Sequence, residues 1–184
     1  MSVFDKLKIL EKEEGYVALA TVDSKNYQKT NIEMIKYFVN IKNIPGVYVT
    51  LNKPYDVIKS LLIKDKVNID IIIFIDGVTK TAGGETERIK DCLFLGNPEN
   101  LSDISMAMDQ AVRAIGGNKR FLFFDSIDTL LIYNDAKTVA RFIHFLAGKM
   151  RVWKVEGIIV SLSQKSNQEL IEELSQFCDI RLEF

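Results

Sequence analysis

Near its amino terminus the chain reads Tyr16-Val-Ala-Leu-Ala-Thr-Val-Asp-Ser-Lys-Asn-Tyr-Gln-Lys-Thr30. Residues 16–22 are almost all apolar, which is typical of a buried strand. The polar residues that follow lead into residues 30–41, where apolar side chains recur at helical spacing and predict a helix. The stretch therefore predicts a strand, a turn and a helix in immediate succession, the start of a βαβ unit.

The turn of this unit aligns with the phosphate-binding pattern G-x-x-x-x-G-K-[ST]. Lys29 and Thr30 fit the pattern, but its two glycine positions hold Asp23 and Gln28. Glycine backbone can wrap closely around phosphate groups and direct its N–H groups at them. Because side chains would crowd that path and Asp23 adds negative charge, we interpret the segment as an ATPase scaffold without an ordinary ATP site.

Composition sets limits on the class of protein. The 184 residues are 47% hydrophobic and predict one globular domain over residues 1–184. A net charge of −1 gives no general reason to expect binding to nucleic acid or to acidic membranes. No apolar run approaches the roughly 20 residues of a membrane-spanning helix. The charged amino terminus lacks a signal region, so we expect a cytoplasmic protein.

Residues able to form disulfides or bind metal are few. Cys92 and Cys178 lie far apart in the sequence and are interpreted as free thiols of a reducing compartment. The single histidine, His144, cannot form a metal site alone, and we predict no metal site.

Strand-like and helix-like segments alternate along the chain. We expect an amphipathic lead-in over residues 1–14, a short extended piece at 92–95, and an exposed, mobile loop at 77–90, which is polar and contains three glycines. Alternation of this kind predicts an α/β fold with three layers, in which a mostly parallel sheet has helices on both faces. The expected strands are 16–22, 47–51, 69–75, 121–124, 157–161 and 180–184, and the expected helices are 30–41, one opening at Pro54, 101–115, 135–150 and 167–177.

The order of motifs resembles that of a known family. The segment Arg120-Phe-Leu-Phe-Phe-Asp-Ser-Ile-Asp-Thr-Leu-Leu131 combines an apolar strand with a terminal aspartate and serine. A helix start precedes it at 100–104, and Ser161-Leu-Ser-Gln164 follows at a later strand end. Over most of residues 15–184 the chain is similar to the RecA-like ATPases of the KaiC type, especially archaeal members. The resemblance implies a RecA-like fold and a homo-oligomer or a protein partner.

The resemblance also assigns roles to individual positions. In a working member, Asp125 would hold magnesium through water, while Lys29 and Thr30 would meet phosphate and metal. Gln164 would be the relic of a residue that senses phosphate. Each residue also has a purely structural interpretation: Asp125 could cap the next segment, Lys29 could be solvated, and Gln164 could be a polar residue at a strand end.

A second departure from the family lies after the second strand. An acidic residue would polarise the attacking water there, but the chain has Asn52 and Lys53. Asparagine cannot act as a general base, and lysine has the wrong charge. With the substituted glycine positions Asp23 and Gln28, this makes two losses in separate segments. We therefore predict a domain without catalytic residues or cofactor that does not hydrolyse ATP efficiently.

Three hypotheses follow from the sequence. The first is a catalytically inactive RecA-like domain that acts as a protein-interaction or regulatory module. The alternative is a nucleotide-binding ATPase that holds Mg-ATP on a non-standard loop through Lys29, Thr30 and Asp125. The third, nucleic-acid binding through residues 77–90, is unlikely because the lysines and arginine of that loop are nearly cancelled by its glutamates and no aromatic residue can stack on bases.

Overall fold

The computed structural model describes residues 2–12, 15–87, 89–164 and 168–184. Its described residues form a sheet of seven strands in the order β4-β3-β2-β5-β6-β1-β7, and every neighbouring pair is parallel. The strands are β1 Val17–Val22, β2 Gly46–Thr50, β3 Ile72–Asp76, β4 Cys92–Phe94, β5 Phe121–Asp125, β6 Glu156–Leu162 and β7 Ile180–Glu183.

Helices cover both faces of the sheet. The amino-terminal α1, α2 and α3 pack on one face, and α4 to α7 pack on the other. The predicted α/β fold with three layers and a parallel sheet is confirmed. The helices are α1 Val3–Leu7, α2 Tyr27–Lys36, α3 Tyr55–Lys64, α4 Leu101–Ala114, α5 Ile127–Tyr133, α6 Ala136–Trp153 and α7 Gln168–Ser175. In the part of the chain that the structure describes, none of the helices is long and apolar enough to span a bilayer.

The main difference from the sequence prediction is the start of α2. The helix begins at Tyr27, three residues earlier than predicted, in the middle of the phosphate-loop pattern. Asp23 closes a tight turn, because its side chain accepts a hydrogen bond from Lys25 N at 2.9 Å and its carbonyl oxygen one from Asn26 N at 3.1 Å. A loop that closes so soon does not make the wide path that a phosphate requires.

Other element boundaries also differ from the prediction, among them the end of α6 at Trp153 instead of residue 150. The third strand begins only at Ile72, because the Asn68 side chain accepts a hydrogen bond from Asp70 N at 3.2 Å and caps a 3-10 turn over Ile69–Ile71. The amino-terminal lead-in is α1 followed by a 3-10 turn over Lys8–Lys12. The predicted end of the lead-in at residues 13–14, the first residue of the predicted helix 167–177, and residue 88 of the predicted loop lie outside the described residues.

The loop after β3 begins with ordered turns. The buried carboxylate of Asp76 accepts hydrogen bonds from Val78 N at 2.6 Å and Thr79 N at 2.9 Å, and a third from Tyr55 N at 2.8 Å. Asp76 therefore joins the start of this loop to the start of α3. The mobility expected for residues 77–90 stays a prediction.

The connections of the sheet define where a ligand crevice should lie. From β2 the chain moves outward to β3 and β4, and it then returns to β5, on the other side of β2, before continuing to β6. In open α/β sheets, ligands bind outside the carboxyl ends of the strands at such a reversal. The carboxyl ends of β2 and β5 meet here, where Thr50 is paired with Asp125.

Candidate functional site

Asp125 lies at this reversal and is enclosed by the protein. Its side chain ends β5 with a residue exposure of only 2%. The hydroxyl of Tyr48 donates to Oδ2 at 2.8 Å, and Nδ2 of Asn52 donates to Oδ1 at 2.8 Å. The hydroxyl of Tyr27 also donates to Oδ1. Both carboxylate oxygens therefore accept hydrogen bonds from side chains of the chain itself.

Asn52 connects this carboxylate to the surrounding segments. Its Nδ2 also lies 3.2 Å from the Tyr27 hydroxyl and 3.2 Å from Ser126 Oγ, while its Oδ1 accepts a hydrogen bond from Thr129. The network thus joins the first residue of α2, the turn after β2 and the start of α5. We call Tyr27, Tyr48, Asn52, Asp125 and Thr129 the Asp125 network.

A second side-chain contact, between Lys53 and Gln28, lies in the same crevice. Lys53 donates a hydrogen bond through Nζ to Oε1 of Gln28. Gln28 stands at a glycine position of the phosphate-loop pattern, and Lys53 stands where the family resemblance expects a carboxylate. Two of the residues that depart from the expected pattern are therefore in contact with each other.

The other predicted site residues are not brought to Asp125. The Lys29 side chain is 79% exposed, with its Nζ 4.0 Å from Glu33 Oε1. Thr30 is buried within α2. Gln164 is exposed beyond the end of β6, in a separate groove that also contains Asp23. Of the four predicted site residues, Asp125 alone contributes to the network.

Behind the Asp125 network lies a cavity of about 40 Å³. Its polar lining includes Tyr27, Tyr48, Asn52 and Asp125, and its apolar lining comes from α2 and α3. A water molecule needs at least about 10–15 Å³ of such volume, so the space suits about one to three waters. It is too small for a whole nucleotide. Asn31 Oδ1 lies buried at this lining without a hydrogen-bond partner in the described residues.

Burial controls the protonation of the network. Loss of hydration raises the pKa of the Asp125 carboxyl, and the hydrogen bonds from Tyr27, Tyr48 and Asn52 oppose this effect only in part. The same loss of hydration, reinforced by the adjacent carboxylate, raises the pKa values of the Tyr27 and Tyr48 hydroxyls. Both tyrosines therefore remain neutral hydrogen-bond donors at physiological pH.

The raised pKa of Asp125 predicts a pH-dependent difference in stability between the wild-type protein and Asp125→Asn. A carboxyl whose pKa is higher in the folded than in the unfolded state stabilises the fold below its unfolded pKa of about 3.9 and loses that contribution as pH rises. Asparagine, a neutral replacement of the same shape, does not titrate. Between pH 4 and pH 7 the free energy of unfolding of the wild type should therefore fall relative to that of Asp125→Asn.

Urea denaturation of both proteins at intervals of half a pH unit measures this difference. All other titrating groups are shared, so their contributions cancel. If the difference in free energy of unfolding between the two proteins stayed constant with pH, the folded-state pKa of Asp125 would not be raised. The same conclusion would follow if the wild type became more stable relative to Asp125→Asn as the pH rose.

The residues present do not fit Mg-ATP. A magnesium site at Asp125 would need a carboxylate oxygen that faces solvent or metal-bound water, and both oxygens accept hydrogen bonds from protein side chains. Phosphate binding would need Lys29 to point at the crevice, whereas it lies near Glu33 on the helix surface. No catalytic step through a nucleotide can be derived from this arrangement.

Tyr27, Tyr48 and Thr129 belong to the network but were not predicted from the sequence as site residues. Tyr48 is one of five consecutive buried residues of β2, so the sequence gives no sign that its hydroxyl meets a carboxylate. Tyr27 did offer a signal, because an aromatic hydroxyl inside a phosphate-loop pattern is bulky where the pattern needs space. Its partner lies 98 positions further along the chain, so only the fold reveals the contact.

Solved structures share this architecture. A KaiC-like protein of the hyperthermophilic archaeon Pyrococcus horikoshii OT3 has a TM-score of 0.65 at 14% identity, covering 92% of this chain and 72% of that protein. An uncharacterised protein of Pyrococcus horikoshii, solved in complex with an unknown peptide, has a TM-score of 0.71 at 10% identity, covering 96% and 82%. The chain therefore shares the three-layer, RecA-like fold of these proteins.

The sequence itself also matches a family model. Residues 71–184, more than half of the chain, match the family described as Family of unknown function (DUF7504). The chain belongs to this family. Among curated proteins, none matches the sequence significantly.

Proposed function

We infer that this protein is a catalytically silent RecA-like domain that acts as a protein-interaction or regulatory module. The observation that carries this proposal is the engagement of Asp125. The carboxylate that would serve magnesium in a working relative is buried and accepts hydrogen bonds from Tyr27, Tyr48 and Asn52. The phosphate-loop segment itself supplies Tyr27, so the same residues cannot hold a phosphate without taking the network apart.

Two observations support binding to a protein. The related Pyrococcus horikoshii protein was solved with an unknown peptide, which makes peptide binding compatible with this fold. The surface of the present chain carries large apolar side chains that are more than 40% exposed, and exposed apolar area commonly marks interaction sites. They include Ile63 on α3, Met106 on α4, Ile132 on α5, and Phe145 and Val152 on α6. The resemblance to KaiC-type proteins allows the partner to be a second copy of the chain.

The other two functions have less support. A nucleotide-binding ATPase would need Lys29, Thr30 and Asp125 to converge on one ligand. The Lys29 side chain is instead 79% exposed beside Glu33. Both oxygens of Asp125 already accept hydrogen bonds from the protein. A nucleic-acid interface at residues 77–90 would need a basic surface, whereas the lysines and arginine of this loop are nearly cancelled by its glutamates.

ATP turnover tests the catalytic half of the proposal. Phosphate release should remain at the background of the assay for the wild type, for Lys29→Ala and for Asp125→Asn alike, because positioning and charge stabilisation supply nearly all catalysis of phosphoryl transfer. Lys29 is exposed and Asp125→Asn keeps the shape of the side chain, so both variants should remain folded. Turnover by the wild type that either substitution removed would refute the proposal.

A further inference from the structure

An open groove runs between α4 and α6, on the face of the sheet opposite α2 and α3. Its volume is about 420 Å³, within the range of sites that receive side chains or small ligands. Met106 of α4 and Phe145 of α6 line it while remaining 64% and 49% exposed. The other lining residues are Leu101, Ser102, Ser105, Thr138, Arg141 and Phe142.

The α6 side of the groove continues as an apolar and basic row. Arg141, Phe145, Lys149 and Val152 follow one another at intervals of three or four residues, so they lie along one side of the helix. Val152 is 78% exposed, and Phe145 and Val152 are two turns apart, about 10 Å along the axis. An amphipathic helix laid in a groove presents anchors at the same spacing.

Charged residues that line the groove or lie beside it along α4 and α6 are mostly cations. The 18 residues of α6 include no aspartate or glutamate. On the α4 side, Asp109 accepts hydrogen bonds from Arg113 at 2.6 Å and from the Trp153 indole at 3.0 Å. The four residues Arg113, Arg141, Lys149 and Asp109 are three cations and one carboxylate, together +2, whereas the whole chain has −1.

Lys149 also shapes the apolar part of the surface. Its ammonium group lies 5.7 Å from the ring centroid of Phe145 and 5.7 Å from that of Trp153. This places a cation directly beside the exposed aromatic anchor. An acidic side chain on a partner could therefore reach Lys149 while a neighbouring apolar side chain contacts Phe145.

We propose that the α4–α6 groove is the docking site for an acidic amphipathic helix of a partner protein. The inference rests on the proposed protein-binding function and names its surface and the chemistry of its partner. Apolar side chains of the partner contact Met106, Phe145 and Val152, and its carboxylates pair with Arg141 and Lys149. Burial of the apolar side chains supplies affinity, and the charges select the partner and its orientation.

A phage-displayed library of helix-forming peptides tests the proposal. Peptides of about 16 residues make four turns and can cover the row from Arg141 to Val152. Selection on the wild-type protein should enrich peptides of net negative charge with apolar residues three or four positions apart. Synthetic versions should bind Phe145→Glu and Arg141→Glu at least ten-fold more weakly. Replacing by lysine only the glutamate of a selected peptide that pairs with Arg141 should restore binding to Arg141→Glu, which a merely unstable variant would not show.

The matched control is Val57→Glu. Val57 is 43% exposed on α3, on the opposite face of the sheet. Its replacement by glutamate therefore introduces the same charge as Phe145→Glu but leaves the groove unchanged. Peptide affinity for this variant should equal that for the wild type. Circular dichroism and thermal unfolding of all variants identify any that fail to fold, and Met106→Ala then replaces Phe145→Glu as the groove variant.

Other outcomes would overturn the assignment of the groove. Enrichment of neutral or basic peptides, no enrichment at all, or peptides whose affinity ignores Phe145→Glu and Arg141→Glu would each contradict it. Binding of a single-stranded oligonucleotide that Arg141→Glu abolishes would make the surface a nucleic-acid site instead. Peptide binding elsewhere on the protein would refute the groove as the docking site but would still agree with the proposed protein-binding function. ATP turnover that depends on Lys29 would refute the catalytically silent domain but would not affect the result for the groove.

Discussion

Asp125→Ala should lower the free energy of unfolding by about 3–5 kcal/mol. The substitution removes the acceptor for Tyr27, Tyr48 and Asn52 at once and leaves buried donors without a partner. Each unsatisfied buried group costs about 1–3 kcal/mol. A carboxylate kept only for a ligand would show no such dependence. The loss of free energy of unfolding in Asp125→Ala therefore measures how much Asp125 contributes to the stability of the fold.

Urea unfolding followed by circular dichroism and by Trp153 fluorescence measures the effect. Asp125→Asn retains one acceptor oxygen and should cost less than Asp125→Ala. Asp65→Ala, at an exposed acidic residue beyond α3, should change stability by no more than about 0.5 kcal/mol. If Asp125→Ala cost as little as Asp65→Ala, the carboxylate would not be holding Tyr27, Tyr48 and Asn52 in place.

The second large effect is expected at the opposite end of the sheet, where Lys42→Met should cost about 2–4 kcal/mol. Glu156 begins β6 with a residue exposure of 4%. Its Oε2 accepts hydrogen bonds from Lys42 Nζ at 2.8 Å and from the Tyr16 hydroxyl at 3.1 Å. Removal of the lysine leaves a buried carboxylate with only a neutral partner. The Lys42 side chain is 18% exposed, so the effect should fall short of that for a fully enclosed ion pair.

A double-mutant cycle isolates this interaction. Glu156→Gln removes the charge and keeps the shape, so the double variant Lys42→Met/Glu156→Gln should recover at least half of the stability lost in Lys42→Met. Urea denaturation of the four proteins gives the coupling free energy. Strictly additive losses would mean that Lys42 stabilises the fold through its packing rather than through Glu156.

The fold could be predicted from the sequence because it is encoded in local patterns of apolar and polar residues. The buried strands appear as apolar runs, and the helices on both faces appear as amphipathic segments between them. The misplaced boundaries had local causes that the pattern alone did not weight correctly. The early start of α2 follows from the turn closed by Asp23, and the late start of β3 follows from the cap provided by Asn68.

Only part of the candidate site could be predicted from the sequence. From the sequence, Gln28, Asn52 and Lys53 are departures from an ATPase pattern that look like two separate losses. In the structure Gln28 accepts a hydrogen bond from Lys53, and Asn52 donates one to Asp125. The residues that depart from the ATPase pattern therefore contact one another or Asp125 and together fill the position of the expected ATP site. These partners lie 25 and 73 positions apart, so no local pattern could have paired them.

The most direct test of the closed site is calorimetric titration of the wild type with Mg-ATP and Mg-ADP, with Lys29→Ala as the control. The account predicts no binding heat up to millimolar nucleotide for either protein, because Tyr27, Tyr48 and Asn52 enclose Asp125 and Lys29 lies on the helix surface. Micromolar binding by the wild type that Lys29→Ala abolishes would contradict it and would show that the loop still holds phosphate.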